Sequence, residues 1–340
     1  MEEAPTRIYI EKHIADYPLT KKIVSRLKDV PVSYVEDYKT IGLEKPFETR
    51  ADEDKNALAL AEKKGDVIKN IGRMDEGQYY LFHEIDCKYD CEYCYLQYYF
   101  QTKVPVIFVN RDVVLAEIEK ILKTRQNAYF HVGEVCDSLA FDYLTDFSKD
   151  IANLFIGYKN GTVEFRTKST NVHNLLEIDS PPSNLIPSWT MSPEHINNTV
   201  EHKTPGLDNR IEAAKKCQDY GYTVGIRLDP IFNYKGWESD YREMVEKILT
   251  ELVHDKIDYI TLGTVKMHKN LIDAVYKRFP ETRIMREELI PAGDGKFRPI
   301  KFDRVKIYRS MTDWIKNLAP EIRIDLSIET EEVRELVFNE

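Results

Sequence analysis

Three of the chain's five cysteines, Cys87, Cys91 and Cys94, fall within HEIDCKYDCEYCYLQYYF, while Cys136 and Cys217 stand apart. An odd number of cysteines in a chain of 340 residues argues against a disulfide framework. The C-x3-C-x2-C spacing puts three thiolates on one tight loop, close enough to converge on a single metal centre without distant chain. Thiolates are soft donors, so the choice lies between zinc and an iron–sulfur cluster. With His83 as fourth ligand the loop would make a closed Cys3His zinc site. Structural zinc sites usually pair their ligands as two separated knuckles, and the residues flanking these cysteines are aromatic; a loop of free thiols is the remaining reading. Cys217 lies in the helical pattern DNRIEAAKKCQDYGY and reads as a small buried apolar residue.

Such a loop needs a scaffold, and composition bounds it. Hydrophobic residues make up 42% of the chain and charged residues 31%, the balance of a folded protein with a large core. Lys and Arg number 48 against 58 acidic residues, a net charge of −10 that excludes general coating of nucleic acid. No run approaches the roughly 20 apolar residues of a membrane span. The N-terminus MEEAPTRIYIEKH is acidic and lacks the order of a secretory signal, so a cytoplasmic location and no membrane partner are expected.

Downstream of the cysteines, β-rich runs alternate with amphipathic stretches, the pattern of an α/β protein with a (β/α) barrel. Six strands are predicted, at 78–85, 129–135, 162–168, 185–192, 222–232 and 258–267. A helix carries Val114, Ile118, Ile121 and Leu122 on one face. Another carries Met244, Val245, Ile248, Leu249 and Leu252, with Ser239 as its N-cap, and Gly221 closes the helix before the fifth strand. The expected architecture is a partial (β/α)6 TIM-type barrel over 77–268. Residues 1–76 form a helical N-terminal extension, drawn from PLTKKIVSRLKDV and EDKNALALAEKKGDVIKN, with a turn at GRMDEG. Residues 269–340 form a C-terminal extension that contacts substrate: a hairpin within 280–299, a helix over 303–317, the strand IRIDLSI and the helix TEEVRELVF. In barrels of this type chemistry collects at the C-terminal strand ends. Besides the cysteine loop, these ends carry Gly133-Glu134, Lys168 and Ser192; Glu134 also reads as a solvated strand end and Lys168 as an ordinary surface lysine.

The C-x3-C-x2-C run, with an aromatic before its third cysteine, resembles the signature of the radical S-adenosylmethionine (SAM) superfamily. That resemblance implies a 4Fe–4S cluster on Cys87, Cys91 and Cys94, with SAM as the second cofactor and a 5′-deoxyadenosyl radical as the species that abstracts hydrogen. At the strand ends, Glu134 beside Gly133 then suits the ammonium of SAM, and Lys168 a carboxylate.

The chain is similar, over nearly its whole length, to the spore photoproduct lyase and SplB-like family. The carrying segments are IYIEKHIADYPLTKKI, CEYCYLQ, GEVCDSLA, FRTKSTNV, TPGLDNRIEAA, GYTVGIRLDPIF, GWESDYRE and VYKRFPETRI. The implied activity is reversal of 5-thyminyl-5,6-dihydrothymine in DNA to two thymines, a DNA-repair lyase reaction. By resemblance Tyr93 lies near SAM, Tyr95 returns a radical toward it and Cys136 donates a hydrogen atom; Cys136 also reads as a buried structural thiol. Ser138, Lys168 and Ser192 resemble SAM contacts. The implied partners are DNA carrying a thymine photoproduct and an electron donor such as flavodoxin or ferredoxin.

Two positions depart from the family. Its late Arg-Tyr pair is missing from GDGKFRPIKF, where Phe297 and Arg298 stand, and Glu194 replaces an asparagine. Lys296, Arg298, Lys301, Arg304, Lys306 and Arg309 form a late basic cluster suited to phosphates, Arg298, Lys301 and Arg304 being the substrate candidates; a solvated face is the plain alternative. Two other functions fit the residues: a SplB-like radical SAM enzyme with a different, non-lesion substrate, and a zinc-stabilised binding protein without catalysis.

Overall fold

The computed structural model describes residues 4–42, 55–71, 77–100, 102, 104–282 and 288–339. The expected turn at 72–77 lies, apart from its last residue, outside the described residues, as does 283–287 within the Pro- and Gly-rich stretch. Packing divides the chain into two compact units: Met1–Asp90 with Tyr99–Ile186, and Cys91–Tyr98 with Pro187–Glu340.

The first unit contains a five-stranded sheet in the order β2-β1-β3-β7-β6. Its strands are β1 (Arg7–Glu11), β2 (Val32–Val35), β3 (Ala57–Ala61), β6 (Glu84–Ile85) and β7 (Val106–Phe108). All pairs are parallel except β6 with β7. The helix expected from PLTKKIVSR forms as α1 (Pro18–Arg26), with its proline at the first turn, and packs Leu19 and Ile23 against Ile8, Ile10, Leu58 and Leu60. The expectation of a wholly helical extension is corrected at EDKNALALAEKKGDVIKN. ALALA is β3, buried at all five positions, and IKNI is β4 (Ile68–Ile71). A strand covered on both faces loses its period-2 alternation, and a run of Ala, Leu, Glu and Lys then imitates a good helix sequence.

Also in the first unit, β4 pairs antiparallel with β5 (Gln78–Leu81), which runs parallel to β8 (Ala128–Val132), and β8 parallel to β9 (Gly161–Thr167). The predicted strand 78–85 is therefore two strands, β5 and β6, serving different sheets. Helix α2 (Arg111–Thr124) precedes β8 and buries Val114, Ile118 and Leu122, with Ile121 half-buried. Helix α3 (Phe147–Gly157) precedes β9.

In the second unit β10 (Leu185–Thr190), β11 (Val224–Ile231), β12 (Ile257–Thr264) and a late strand, Ile324–Leu326, are parallel neighbours in that order. Helix α4 (Leu207–Tyr220) holds Cys217 fully buried and ends at Gly221, whose φ of 121° suits a residue without Cβ. Helix α5 (Trp237–Glu251) starts two residues before the expected N-cap Ser239. Buried Trp237 packs on Tyr241, and Gly236 takes the left-handed turn ahead of it. The expected hairpin is present as β13 (Met267–His268), β14 (Leu289–Pro291) and β15 (Lys296–Pro299), all antiparallel. Around it lie α6 (Lys269–Arg278), α7 (Lys301–Leu318), β16 (Ile324–Leu326) and α8 (Glu331–Phe338). The result is the expected α/β class with parallel sheets, and among the described residues no sheet closes into a barrel. No described helix is long and apolar enough to cross a membrane.

Candidate functional site

In the first unit, β6 delivers the chain to the cysteine loop. Asp86 follows it with φ 65° and donates its N–H to Val135 O at 2.8 Å. Its carboxylate accepts from Lys55 Nζ and from Cys87 N, both at 2.8 Å, and Lys55 Nζ donates also to Cys87 O at 2.9 Å. Lys55 and Asp86 are buried, so each charge is matched by its partner and by backbone, the condition under which a buried pair is tolerated. The backbone of Cys87 is thereby held on both sides. Its thiol accepts the N–H of Tyr89 at 3.4 Å, the kind of hydrogen bond that tunes a cluster ligand.

Gly133 ends β8 with φ 99°, and a Cβ there would sit 2.5 Å from Arg166 O. Glycine alone permits that close approach. Next to it, Glu134 is paired with Arg166 at 3.1 Å, and Arg166 also bonds Glu164 at 2.9 Å. Asp137 accepts from Thr167 Oγ1 and Lys168 N, each at 2.6 Å, while Ser138 donates its Oγ–H to Arg166 O at 2.8 Å. These bonds fix Glu134, Ser138 and the backbone of Lys168 on adjacent turns. Cys136 is buried between them; burial, then the negative charges of Glu84 and Cys87, push its thiol well above the ordinary range, so it carries its proton. His83 and Glu84 approach Cys136 to within 4.8 Å, and burial brings the His83 imidazole down to about 3, which keeps it neutral.

In the second unit, Cys94 N donates to Cys91 O at 3.1 Å, and Gln97 Nε2 reaches Cys91 O at 2.9 Å. Tyr93 donates its hydroxyl to Glu201, and Ser192 Oγ donates to the same Oε1 at 2.8 Å. Arg210 Nη2 binds the other oxygen of Glu201 at 2.6 Å, and Arg210 is itself anchored on Thr190 O at 3.0 Å and Pro205 O at 2.8 Å. Burial and the neighbouring Glu201 raise the Tyr93 hydroxyl well above its usual value. Tyr95 packs against Ile196, Val265, Met267 and Leu271. Thus Tyr93 and Ser192, which are 99 positions apart, meet on one carboxylate.

At the hairpin, Arg298 and Arg304 are buried. Arg298 pairs with Asp294; Arg304 binds Pro299 O at 2.6 Å and Glu329 at 3.1 Å; exposed Lys301 pairs with Glu332 at 2.6 Å. The bond from Arg304 to Pro299 O ties α7 to β15, and those to Glu329 and Glu332 tie α7 to the segment that begins α8. Sequence reasoning missed Lys55, Asp86, Glu84, Glu201 and Arg210. Of these, Glu84 alone carries a local signal, a carboxylate in the β-rich run QYYLFHEI.

The donor set suits an iron–sulfur cluster: three soft thiols on one loop, an N–H already aimed at one sulfur, and side chains tying the backbone of Cys87 and Cys91.

Comparison with known proteins agrees. The family model described as "Spore photoproduct lyase" matches residues 3–326. Spore photoproduct lyase of Bacillus subtilis (strain 168) is 25% identical over 337 residues, covering 94% of this chain and 97% of its own length. That of Clostridium acetobutylicum is 24% identical over 290 residues, covering 84% of this chain and 85% of its own. Among solved structures, a cysteine-to-alanine mutant of spore photoproduct lyase superposes with a TM-score of 0.85 at 20% identity, covering 96% of this chain and 100% of that one. A double mutant with bound AdoMet and dinucleoside spore photoproduct gives 0.83 at 20% identity, over 95% and 99%. At that identity the likeness is one of fold.

Proposed function

The chain belongs to the spore photoproduct lyase family, and from that premise we propose that it is a radical SAM carbon–carbon lyase that returns 5-thyminyl-5,6-dihydrothymine in DNA to two thymines. The observation that carries the reading is Cys136, a buried thiol kept neutral three residues beyond the glycine that lets two strand ends meet. A hydrogen-atom donor needs an intact S–H shielded from solvent, and both conditions hold there.

When bound on Cys87, Cys91 and Cys94, the cluster with SAM supplies the 5′-deoxyadenosyl radical that abstracts hydrogen from the substrate. The chain's own residues do the rest. Glu134, braced by Arg166, offers a carboxylate to the ammonium of SAM, and Lys168, on a backbone held by Asp137, offers charge to its carboxylate. Ser138 and the Tyr93–Ser192 pair on Glu201 give fixed hydroxyls. Cys136 gives its hydrogen atom to the substrate radical after carbon–carbon scission; Tyr95 then gives a hydrogen atom to the resulting thiyl radical, and the tyrosyl radical so formed, assisted by Tyr93, takes back the hydrogen first removed from the substrate. The dimer is reached by flipping it from the stack. Lys301, with the hairpin edge beside Arg298 and the first turn of α7 beside Arg304, meets phosphate. The electron donor is a small redox protein of the flavodoxin or ferredoxin type, and the reaction belongs to the cytoplasm.

Cluster-loaded protein, SAM, reductant and irradiated DNA, kept anaerobic, should yield intact thymine; a cluster-loaded enzyme that releases none overturns the reading. A Cys136→Ala variant should still split the lesion but leave aberrant adducts. A second reading, a different substrate, is favoured by the internal pairing of Arg298 and Arg304 and by the missing Arg-Tyr pair. Accumulating 5′-deoxyadenosine without thymine formation would select it.

A further inference from the structure

The first unit holds a second group of ligating side chains that the proposed reaction does not use as a group. His83, Glu84 and Cys136 are all buried, and a ring nitrogen, a carboxylate oxygen and Sγ lie within 4.8 Å of one another. Among the described residues, neither ring nitrogen of His83 nor Oε2 of Glu84 has a hydrogen-bond partner. Buried polar atoms are almost always satisfied, and these two side chains stand beside the Cys136 thiol. We propose that His83, Glu84 and Cys136 form a binding site for a soft divalent cation of the zinc type, which captures the donor thiol and so makes the enzyme metal-sensitive.

The donor set favours this class. One sulfur, one imidazole nitrogen and one carboxylate suit zinc, whereas calcium and magnesium take oxygen shells. A thiolate and a carboxylate cancel a charge of +2, so the complex is neutral overall, which an apolar interior accepts more readily than an isolated ion. Binding forms a metal–sulfur and a metal–oxygen bond, releases to solvent the thiol proton and the proton that burial favours on Glu84, and transfers no electron. Three protein ligands leave a fourth position open. Bonds of about 2.0–2.3 Å place tetrahedral ligand atoms roughly 3.3–3.7 Å apart, so the side chains close in by about 1 Å around the ion.

The scaffold is already fixed. The His83 ring lies on Phe147, centroids 4.2 Å apart and planes 8° from parallel. His83 O accepts from Phe108 N at 3.0 Å, and the bond from Asp86 N to Val135 O at 2.8 Å ties together the segments that carry Glu84 and Cys136.

This inference rests on the preceding reading only for the role of the Cys136 thiol, and its test reads the metal directly. Cluster-loaded protein is exposed anaerobically to Zn²⁺, desalted, and examined for zinc content and for the zinc X-ray absorption edge. The expected result is one retained zinc per chain with a single sulfur at about 2.3 Å and lighter ligands at about 2.0–2.2 Å. His83→Gln and Glu84→Gln should each loosen zinc by about tenfold or more, a loss seen even for residues behind the ligands, while iron and sulfide stay at wild-type content. Cys136→Ser should remove the sulfur from the zinc shell. No retained zinc, a shell of three or four sulfurs, or unchanged zinc affinity in both glutamine variants would each overturn the proposal. These readouts hold whether or not lesion repair is observed; where it is, Zn²⁺ should stop it and a chelator restore it.

Discussion

Glu201 receives Tyr93, Ser192 and Arg210 on its two oxygens while fully shielded from solvent. Its replacement by Gln leaves the Arg210 guanidinium buried without a counter-charge, a change that costs about 3–5 kcal/mol. Urea unfolding of Glu201→Gln should show that loss, whereas Tyr93→Phe, which removes one donor from an acceptor that keeps two others, should cost about 1 kcal/mol. Equal losses would mean that the guanidinium finds another partner. At this scale the cysteines were legible because their spacing is local chemistry. Ser192 was visible as a hydroxyl at a predicted strand end and Tyr93 only through resemblance, while Glu201 and Arg210 had no role assigned. A carboxylate's partner is chosen by tertiary packing, and nothing in EHKTPGLDNR says that its glutamate faces a tyrosine 108 positions earlier.

At the scale of elements, α1 is fastened by Asp146, the residue preceding α3. Arg26 bonds its two carboxylate oxygens at 2.7 and 2.9 Å and Lys22 adds a contact at 2.5 Å. Burial pushes this carboxyl up, but the bonds from Arg26 and Lys22 outweigh it and bring it to about 2. A group lowered in the folded state contributes stability above its unfolded value near 3.9, and that stability is lost as pH falls toward 2. Allowing for solvent screening, Asp146→Asn should cost about 1 kcal/mol at pH 7, with the difference from wild type closing between about pH 4 and pH 2. A pH-independent difference in urea midpoints would assign the loss to something other than charge.

Gly133→Ala should cost about 1–3 kcal/mol, because its φ is positive and its Cβ would strike Arg166 O. On the proposed role of Ser138 as a SAM contact, SAM affinity should fall with it, as measured by equilibrium dialysis, since Ser138 is bonded to that same carbonyl. The barrel-type strands were legible from alternating runs separated by amphipathic helices. Strand β3 was not, because a doubly covered strand has no polar face to announce it, and the start of α5 was set by Trp237 burial rather than by a capping side chain.

For the whole molecule, a net charge of −10 and arginines turned inward at the hairpin limit what undamaged DNA can hold. The affinity for an intact duplex should be weak, with a log–log salt slope of only about −2 to −4, the signature of few neutralised phosphates. Fluorescence anisotropy across a salt series measures this. A steep slope would reveal a basic surface that pairing inside the fold does not predict. The late run of Lys and Arg reads in the sequence as more available than it is: Arg304 is buried against Glu329, which a linear sequence does not place beside it.

Strand β3 sits between β1 and β7, with β1 on one edge and β7 on the other. The first partner precedes it, but the second is made only at Val106–Phe108. During synthesis at about 5–20 residues per second, an uncharged apolar strand with an open edge therefore waits roughly 2–9 s for its neighbour. Truncated chains ending before Val106 keep that edge permanently open and should be aggregation-prone clients for chaperones, and production of the intact protein should depend on how well the first hundred residues are shielded while the next few arrive.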